Sequence, residues 1–269
     1  MVEKSLKAGI VQLDVRLGDI RANVRNAVAG IAGLGKRGAR LAVLPELWAS
    51  GFDNKRIAEH ADRTPEIIET IASEAARHKT VIAGSLAEIC GNAVCNTLVV
   101  IDSDGSIAGR YAKVHLFSAT GEDRYFARGD SWTVCETSIG RLGLLICYDL
   151  RFPELSRILA LNGAECLVVC AQWPAERISH WETLARARAI ENQIFLLASN
   201  RCGSDPNIVY GGRSLVVSPT GEILASGHDQ KPDIIDAVLD RSVMEKFRTR
   251  IPCLDERVPD VYAGTKGEK

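Results

Sequence analysis

The chain has 269 residues, a formal net charge of −1, 46% hydrophobic and 25% charged residues, an ordinary globular composition with length enough for a sizeable core. That charge balance offers no electrostatic footprint for nucleic acid or for an anionic membrane, which leaves a small molecule as the expected partner. No apolar run approaches the ~20 residues that span a bilayer, and the N-terminal stretch lacks the long apolar core of a signal peptide.

The pattern alternates strand and helix. Residues 8–15 predict a buried strand, after which Ile20, Val24, Ala27, Val28, Ile31 and Leu34 recur at helical spacing and stop near Gly35. Residues 41–44 predict a strand that delivers Glu46. Thr64-Pro65 predicts a helix start, with threonine as cap and proline in the first turn. Residues 80–86 and 96–102 predict strands, and the turn at Asp102-Ser103-Asp104-Gly105 pairs the second with a strand leading to Lys113. A strand ends at Cys147, and a helix of about three turns enters at Pro153 and stops at Asn162-Gly163. Residues 166–172 predict a buried strand. Ser179-His180-Trp181-Glu182 fits a capping box opening a helix through Ile190, followed by a strand at 194–199 and a hairpin over 215–226. No linker or repeat period interrupts this order, which predicts one α/β domain over residues 1–240 with two sheets and helices on the outer faces. The extension 241–269 differs: it is charged, carries Pro252 and Pro259, and has isolated anchors at Met244, Phe247, Ile251, Leu254 and Val258.

The eight cysteines form no Cys-x-x-Cys pair, and several sit in apolar runs as small hydrophobes. A reducing cytoplasm suits them better than a disulfide framework. The five histidines show no ligand spacing, so no metal is expected.

Three segments carry chemistry. Gly143-Leu144-Leu145-Ile146-Cys147-Tyr148-Asp149-Leu150-Arg151-Phe152-Pro153-Glu154-Leu155 sets a cysteine between strand and helix, where the helix N-terminus favours a thiolate. Val43-Leu44-Pro45-Glu46-Leu47-Trp48 places a carboxylate past a strand, and Tyr111-Ala112-Lys113-Val114-His115-Leu116-Phe117 a lysine. In this order and spacing the three segments resemble the nitrilase superfamily of carbon–nitrogen hydrolases over nearly the whole chain. The resemblance implies a four-layer α-β-β-α sandwich, a Glu46–Lys113–Cys147 catalytic set, neither metal nor cofactor, and a homodimer or larger assembly in which the extension 241–269 serves as an oligomerisation arm.

Within that resemblance, Glu46 is expected as the base that takes the thiol proton, and Lys113 with the Tyr148 N–H as donors to the tetrahedral oxyanion. Lys113 is further expected to favour the thiolate. Glu122, nine residues after Lys113, is expected as a fourth member that orients the lysine; the alternative is a solvated loop carboxylate. Arg151 fits a carboxylate clamp, or else a structural ion pair with Glu154 or Asp149. Trp173, Phe117 and Tyr148 fit pocket walls, with a plain core aromatic as the alternative for Trp173. His115 reads as a positioned structural residue. The motifs around Cys147, Ala171-Gln172-Trp173-Pro174 and Arg186-Ala187-Arg188-Ala189-Ile190-Glu191-Asn192-Gln193 most resemble the omega-amidase group, which acts on 2-oxo acid amides such as 2-oxoglutaramate. Neighbouring alternatives are N-carbamoyl amino-acid or amine hydrolases and deaminated-glutathione amidases. From other classes stand an amide transferase, a thiol redox protein and a non-catalytic binding protein on the same fold. Substituting Cys147, Glu46 or Lys113 is expected to cost turnover with little unfolding.

Overall fold

A computed structural model of the chain describes residues 4–262; residues 1–3 of the N-terminal stretch and 263–269 of the expected arm lie outside the described residues. In chain order the elements are β1 (Ser5–Gln12), α1 (Ile20–Lys36), β2 (Leu41–Val43), α2 (Ile57–Asp62), α3 (Thr64–His78), β3 (Val81–Cys90), β4 (Ala93–Ile101), β5 (Ile107–Ala112), β6 (Val134–Thr137) and β7 (Gly140–Ile146). Then follow α4 (Pro153–Leu161), β8 (Cys166–Ala171), α5 (Ile178–Asn192), β9 (Phe195–Asn200), β10 (Ser204–Asp205), β11 (Ile208–Val209), β12 (Leu215–Val217), β13 (Ile223–Ser226), β14 (Asp233–Asp240), α6 (Arg241–Arg250) and α7 (Pro259–Tyr262).

Two six-stranded sheets, ordered β14-β1-β2-β3-β4-β5 and β13-β12-β9-β8-β7-β6, pack face to face through β1, β2, β3 and β4 against β9, β8 and β7. Helices α1 and α3 cover the outer face of the first sheet and α4 and α5 that of the second, which gives the expected four layers. A strand inside such a stack is buried on both faces and reads as a continuous apolar run rather than an alternating one. β8 shows this: Cys166, Leu167, Val168, Val169, Cys170 and Ala171 are all buried. In β1 the two faces divide. Ala8 and Ile10 join the core between the sheets, whereas Val11 packs with Ile31 and Leu34 of α1.

Helix starts depart from their sequence signals. Thr64 does not cap α3; its hydroxyl donates to the Ala87 carbonyl of β3, and Arg63 stands at the cap. Ser179 does not cap α5 either. That helix starts at Ile178, and Glu182 accepts from Arg213 instead of reaching back to a cap. In both cases a tertiary partner outcompetes the local bond. Helix α2, the short strand β6, the β10–β11 hairpin and β14, which pairs along all of β1, carry too little periodicity to be predicted. In the extension, Met244 of α6 is buried against the body, Phe247 and Leu254 are half-buried, and Ile251 and Val258 are exposed. No helix among the described residues is long and apolar enough to cross a membrane.

Candidate active site

Strands β1, β2, β3 and β5 run in one direction in the first sheet, and β7, β8 and β9 run parallel in the second. Their carboxyl ends meet at one end of the sandwich, where successive segments leave their strands and backbone polar groups become free for chemistry. Glu46 follows β2, Lys113 follows β5, Cys147 follows β7 and Gln172 follows β8.

Each turn is held by specific bonds. After β2, the residue following Glu46 is Leu47, buried with φ of 41° and its N–H bonded to Ser85 Oγ at 2.8 Å. After β7, Cys147 itself has φ of 48°. A branched or β-substituted residue in the left-handed region is strained, and such strain persists only where the surroundings over-determine it. For Cys147 the surroundings are Asp149. Fully buried two residues on, Asp149 accepts from Ile146 N–H (2.9 Å), Tyr111 Oη (2.8 Å), His115 N–H (3.1 Å) and His115 Nδ1 (2.8 Å). One carboxylate therefore ties the Cys147 turn to the segment that carries Lys113. The His115 ring stacks on Phe152, with centroids 3.6 Å apart and planes within 8°. This gives His115 the structural role expected of it. Asp149→Ala leaves four donors unpaired at once and is expected to cost about 3–5 kcal/mol of stability, with turnover falling alongside; chemical denaturation reads it, and an unchanged unfolding midpoint would contradict the clasp.

At the centre, Lys113 Nζ lies 2.8 Å from Glu46 Oε1 and 2.8 Å from both oxygens of Glu122. All three residues are buried: Lys113 is 1% exposed, Glu46 0% and Glu122 1%. Glu122 is thus no solvated loop carboxylate. Its Oε2 also accepts from the Phe117 N–H at 2.7 Å, which folds the loop back onto the lysine. Glu46 accepts further bonds from Asn96 Nδ2 (2.8 Å, on Oε1) and from the Gln172 N–H (3.1 Å, on Oε2). Gln172 returns its side-chain amide to the Glu46 carbonyl at 2.7 Å, and its Oε1 is held by the buried Arg201 at 3.1 Å.

The electrostatics follow from burial. Burial alone would push the Lys113 ammonium down, but Glu46 and Glu122 outweigh it and hold the lysine above its ordinary value. Glu46 is raised above the ordinary carboxylate value, first by burial, with Glu122 adding and Lys113 opposing. Cys147 presents a partly open surface to solvent, yet close packing around the sulfur pushes the thiol well above its ordinary value; Glu46 adds to this, and Lys113 offsets only part. The expected thiolate is therefore not the resting species. Helix α4 starts only at Pro153, and the five residues Cys147–Arg151 form a 3-10 turn between thiol and helix, so the helix end stands off from the sulfur while burial, with the charge of Glu46 adding, holds the thiol.

The rim is aromatic and cationic. Phe117 and Tyr148 lie with ring centroids 4.8 Å apart, and Tyr148 meets Phe152 edge-on. Trp173 is buried, 3% exposed, and packs on Trp181, so it is chiefly a core aromatic, with Arg151 lying over its ring at 4.7 Å. Arg151 makes no ion pair with Glu154 or Asp149 among the described residues, since the oxygens of Asp149 are already taken. Arg177 reaches over Phe117 at 5.7 Å. Asn96, Asp149, Gln172, Arg177 and Arg201 carry no signal in local sequence as site residues; only Asp149 and Gln172 lie within the recognisable motifs.

A family model described as carbon-nitrogen hydrolase matches residues 7–249. A 2-oxoglutaramate amidase of Bacillus subtilis is 35% identical over 94% of this chain and 97% of its own length. Among solved structures, a carbon-nitrogen hydrolase from Helicobacter pylori superposes with a TM-score of 0.92 at 29% identity, covering 98% of this chain and 99% of that one. A Nesterenkonia amidase variant, described as showing covalent addition of the acetamide moiety of fluoroacetamide at its active-site cysteine, superposes with a TM-score of 0.85 at 25% identity, covering 98% of each chain.

Proposed function

The chain belongs to the carbon–nitrogen hydrolase family and is an amidase, and from this premise we propose that it hydrolyses the terminal amide of a small 2-oxo acid, of which 2-oxoglutaramate is the type, through a thioester on Cys147. One observation carries the mechanism: a single buried ammonium holds two buried carboxylates beside a thiol on a strained turn. As Sγ attacks the amide carbon, Glu46 takes the thiol proton, and the negative charge passes from Glu46 to the substrate oxygen. Lys113 has three N–H donors. If one is shared between the two Glu122 oxygens and one serves Glu46, the third is free for the oxyanion, joined by the Tyr148 N–H. The C–N bond then breaks, the nitrogen leaves with the proton from Glu46, and ammonia departs. Water adds to the thioester, gives its proton to Glu46, and the sulfur leaves with that proton to restore the thiol and release the acid. Glu122, bonded to Lys113 Nζ, the Phe117 N–H and Asn96 Nδ2, anchors Lys113 throughout.

The substrate class is supported by the activity for which the Bacillus relative is named and by the guanidinium of Arg151, which stacks on Trp173 with its edge free of carboxylate partners among the described residues. A planar fork suits a substrate carboxylate; an ammonium does not reproduce it. Ammonia release from 2-oxoglutaramate, 2-oxosuccinamate, deaminated glutathione, an N-carbamoyl amino acid, N-carbamoylputrescine and a simple nitrile tests this directly. Fast release from the two 2-oxo amides is expected. Arg151→Lys is expected to raise KM for them about tenfold or more while leaving a neutral amide little affected. Turnover confined to a carbamoyl substrate would keep the thiol chemistry and overturn the substrate class.

A further inference from the structure

Both oxygens of the Glu46 carboxylate have protein donors. Oε1 takes Lys113 Nζ and Asn96 Nδ2, each at 2.8 Å, and Oε2 takes the Gln172 N–H at 3.1 Å. Cys147 stands near enough to the same carboxylate to feel its charge. The Gln172 N–H is the one protein donor on Oε2 among the described residues, so that oxygen keeps an acceptor position open. Asn96 does more than complete Oε1. Its Nδ2 lies 3.3 Å from Glu122 Oε1, and its backbone carbonyl accepts the Lys113 N–H at 2.9 Å. One residue of β4 thus touches Glu46, Glu122 and Lys113. It is fully buried, and its Oδ1 has no protein partner among the described residues, so the side chain is held by its donor end. The opposite amide orientation would set an oxygen against two carboxylates, and the network therefore assigns the nitrogen.

We propose that Asn96 is a positioning residue for the base: its amide bridges Glu46 and Glu122, closes Oε1 to proton transfer, and leaves Oε2 to take the Cys147 proton. With two donors on Oε1, a proton arriving there would have to break both bonds. At Oε2 only the Gln172 N–H is engaged, and an acceptor position is open to the proton. The proposal rests on the reading of Glu46 as base. The titratable groups facing Glu46 are Lys113, Glu122 and Cys147, with Cys170 and Tyr210 sensing it from farther away. Asn96 and Lys113 favour the ionised carboxylate; burial and Glu122 oppose it.

Asn96→Leu removes both donors while keeping the number and branching of the side-chain heavy atoms. Asn96→Ser keeps a hydroxyl too short to span both carboxylates, and serves if leucine prevents folding. On the full chain, three measurements suffice: thermal unfolding, kcat/KM for 2-oxo amide hydrolysis against pH, and the rate of Cys147 alkylation by iodoacetamide against pH. The fall in kcat/KM is expected to be roughly tenfold to hundredfold and to lie mostly in kcat. The acid limb of both profiles is expected to rise by about one pH unit, because a carboxylate that loses a donor holds its proton to higher pH. A folded variant with an unmoved acid limb overturns the proposal, as does wild-type kcat/KM. Loss of folding in both variants would make Asn96 a stabilising residue only and would overturn it as well. Failure of the underlying reading shows separately, since Glu46→Gln would then keep turnover whatever the Asn96 variants do.

Discussion

Cys147→Ala is expected to lower ammonia release on the order of 10⁴- to 10⁶-fold and to leave the unfolding temperature within a few degrees of the parent protein. The first part follows from the absence of a substitute. Cys170 also senses the Glu46 charge, but it lies fully buried at the end of β8 and its thiol is likewise pushed well above its ordinary value. The second part follows from the turn. The left-handed φ of 48° at position 147 is set by the bonds to Asp149, not by the sulfur, and alanine carries the same β-carbon. Because the resting thiol is protonated, the acid limb of the parent pH profile should report Glu46 rather than Cys147. It should lie above the ordinary carboxylate value of 4.5, since burial raises Glu46. Ammonia release by Cys147→Ala at near-parental rate would remove the thioester from the mechanism.

The three residues that bear chemistry are legible in the sequence because each sits just past an apolar strand within a motif, and motif spacing survives folding. The layered order is legible because β8 and β9 read as continuous apolar runs and α1 is long enough to show its helical period. What the sequence does not show is set by tertiary partners. Asn96 is one polar residue in the middle of β4, and its register opposite Ala87, with its carbonyl on the Lys113 N–H, is what brings it to the carboxylates. Asp149 lies within the Cys147 motif, yet local sequence suggests for it only a pairing with Arg151; its four donors come from the Cys147 turn and from a segment more than thirty residues earlier in the chain. The protonation state of Cys147 runs against its local signal. A nearby helix start points to a thiolate, whereas desolvation and a neighbouring carboxylate decide for the thiol. Local pattern gives the parts; the electric field at each part belongs to the assembled site.

Burial of the ion pair changes what Lys113→Ala should do. From sequence the loss of Lys113 is expected to cost activity with little unfolding, as for a lysine at an open strand end. In the folded chain Lys113 is 1% exposed and lies between two carboxylates that are themselves 0% and 1% exposed. Removing one member of a buried ion pair strands the other, typically at about 3–5 kcal/mol, and here one cation is lost from two anions. Turnover should fall at least a hundredfold, as for loss of an oxyanion donor, ~10²–10³, and the variant should also be markedly less stable at neutral pH. The sign of the pH dependence distinguishes this from a simple packing defect. Without the ammonium, which opposes burial and the charge of Glu122 at Glu46, the Glu46 carboxyl of the folded variant rises further above its unfolded value of about 4.3. A group raised on folding contributes stability that is complete below its unfolded pKa and is lost as pH rises through the folded one. The deficit in unfolding temperature between Lys113→Ala and the parent should therefore be large at pH 8 and shrink as pH falls toward 5. Paired thermal unfolding curves across that range measure it. A deficit that stays constant with pH would mean that Glu46 and Glu122 do not depend on Lys113 for their charge, and would remove the ammonium from the centre of the site.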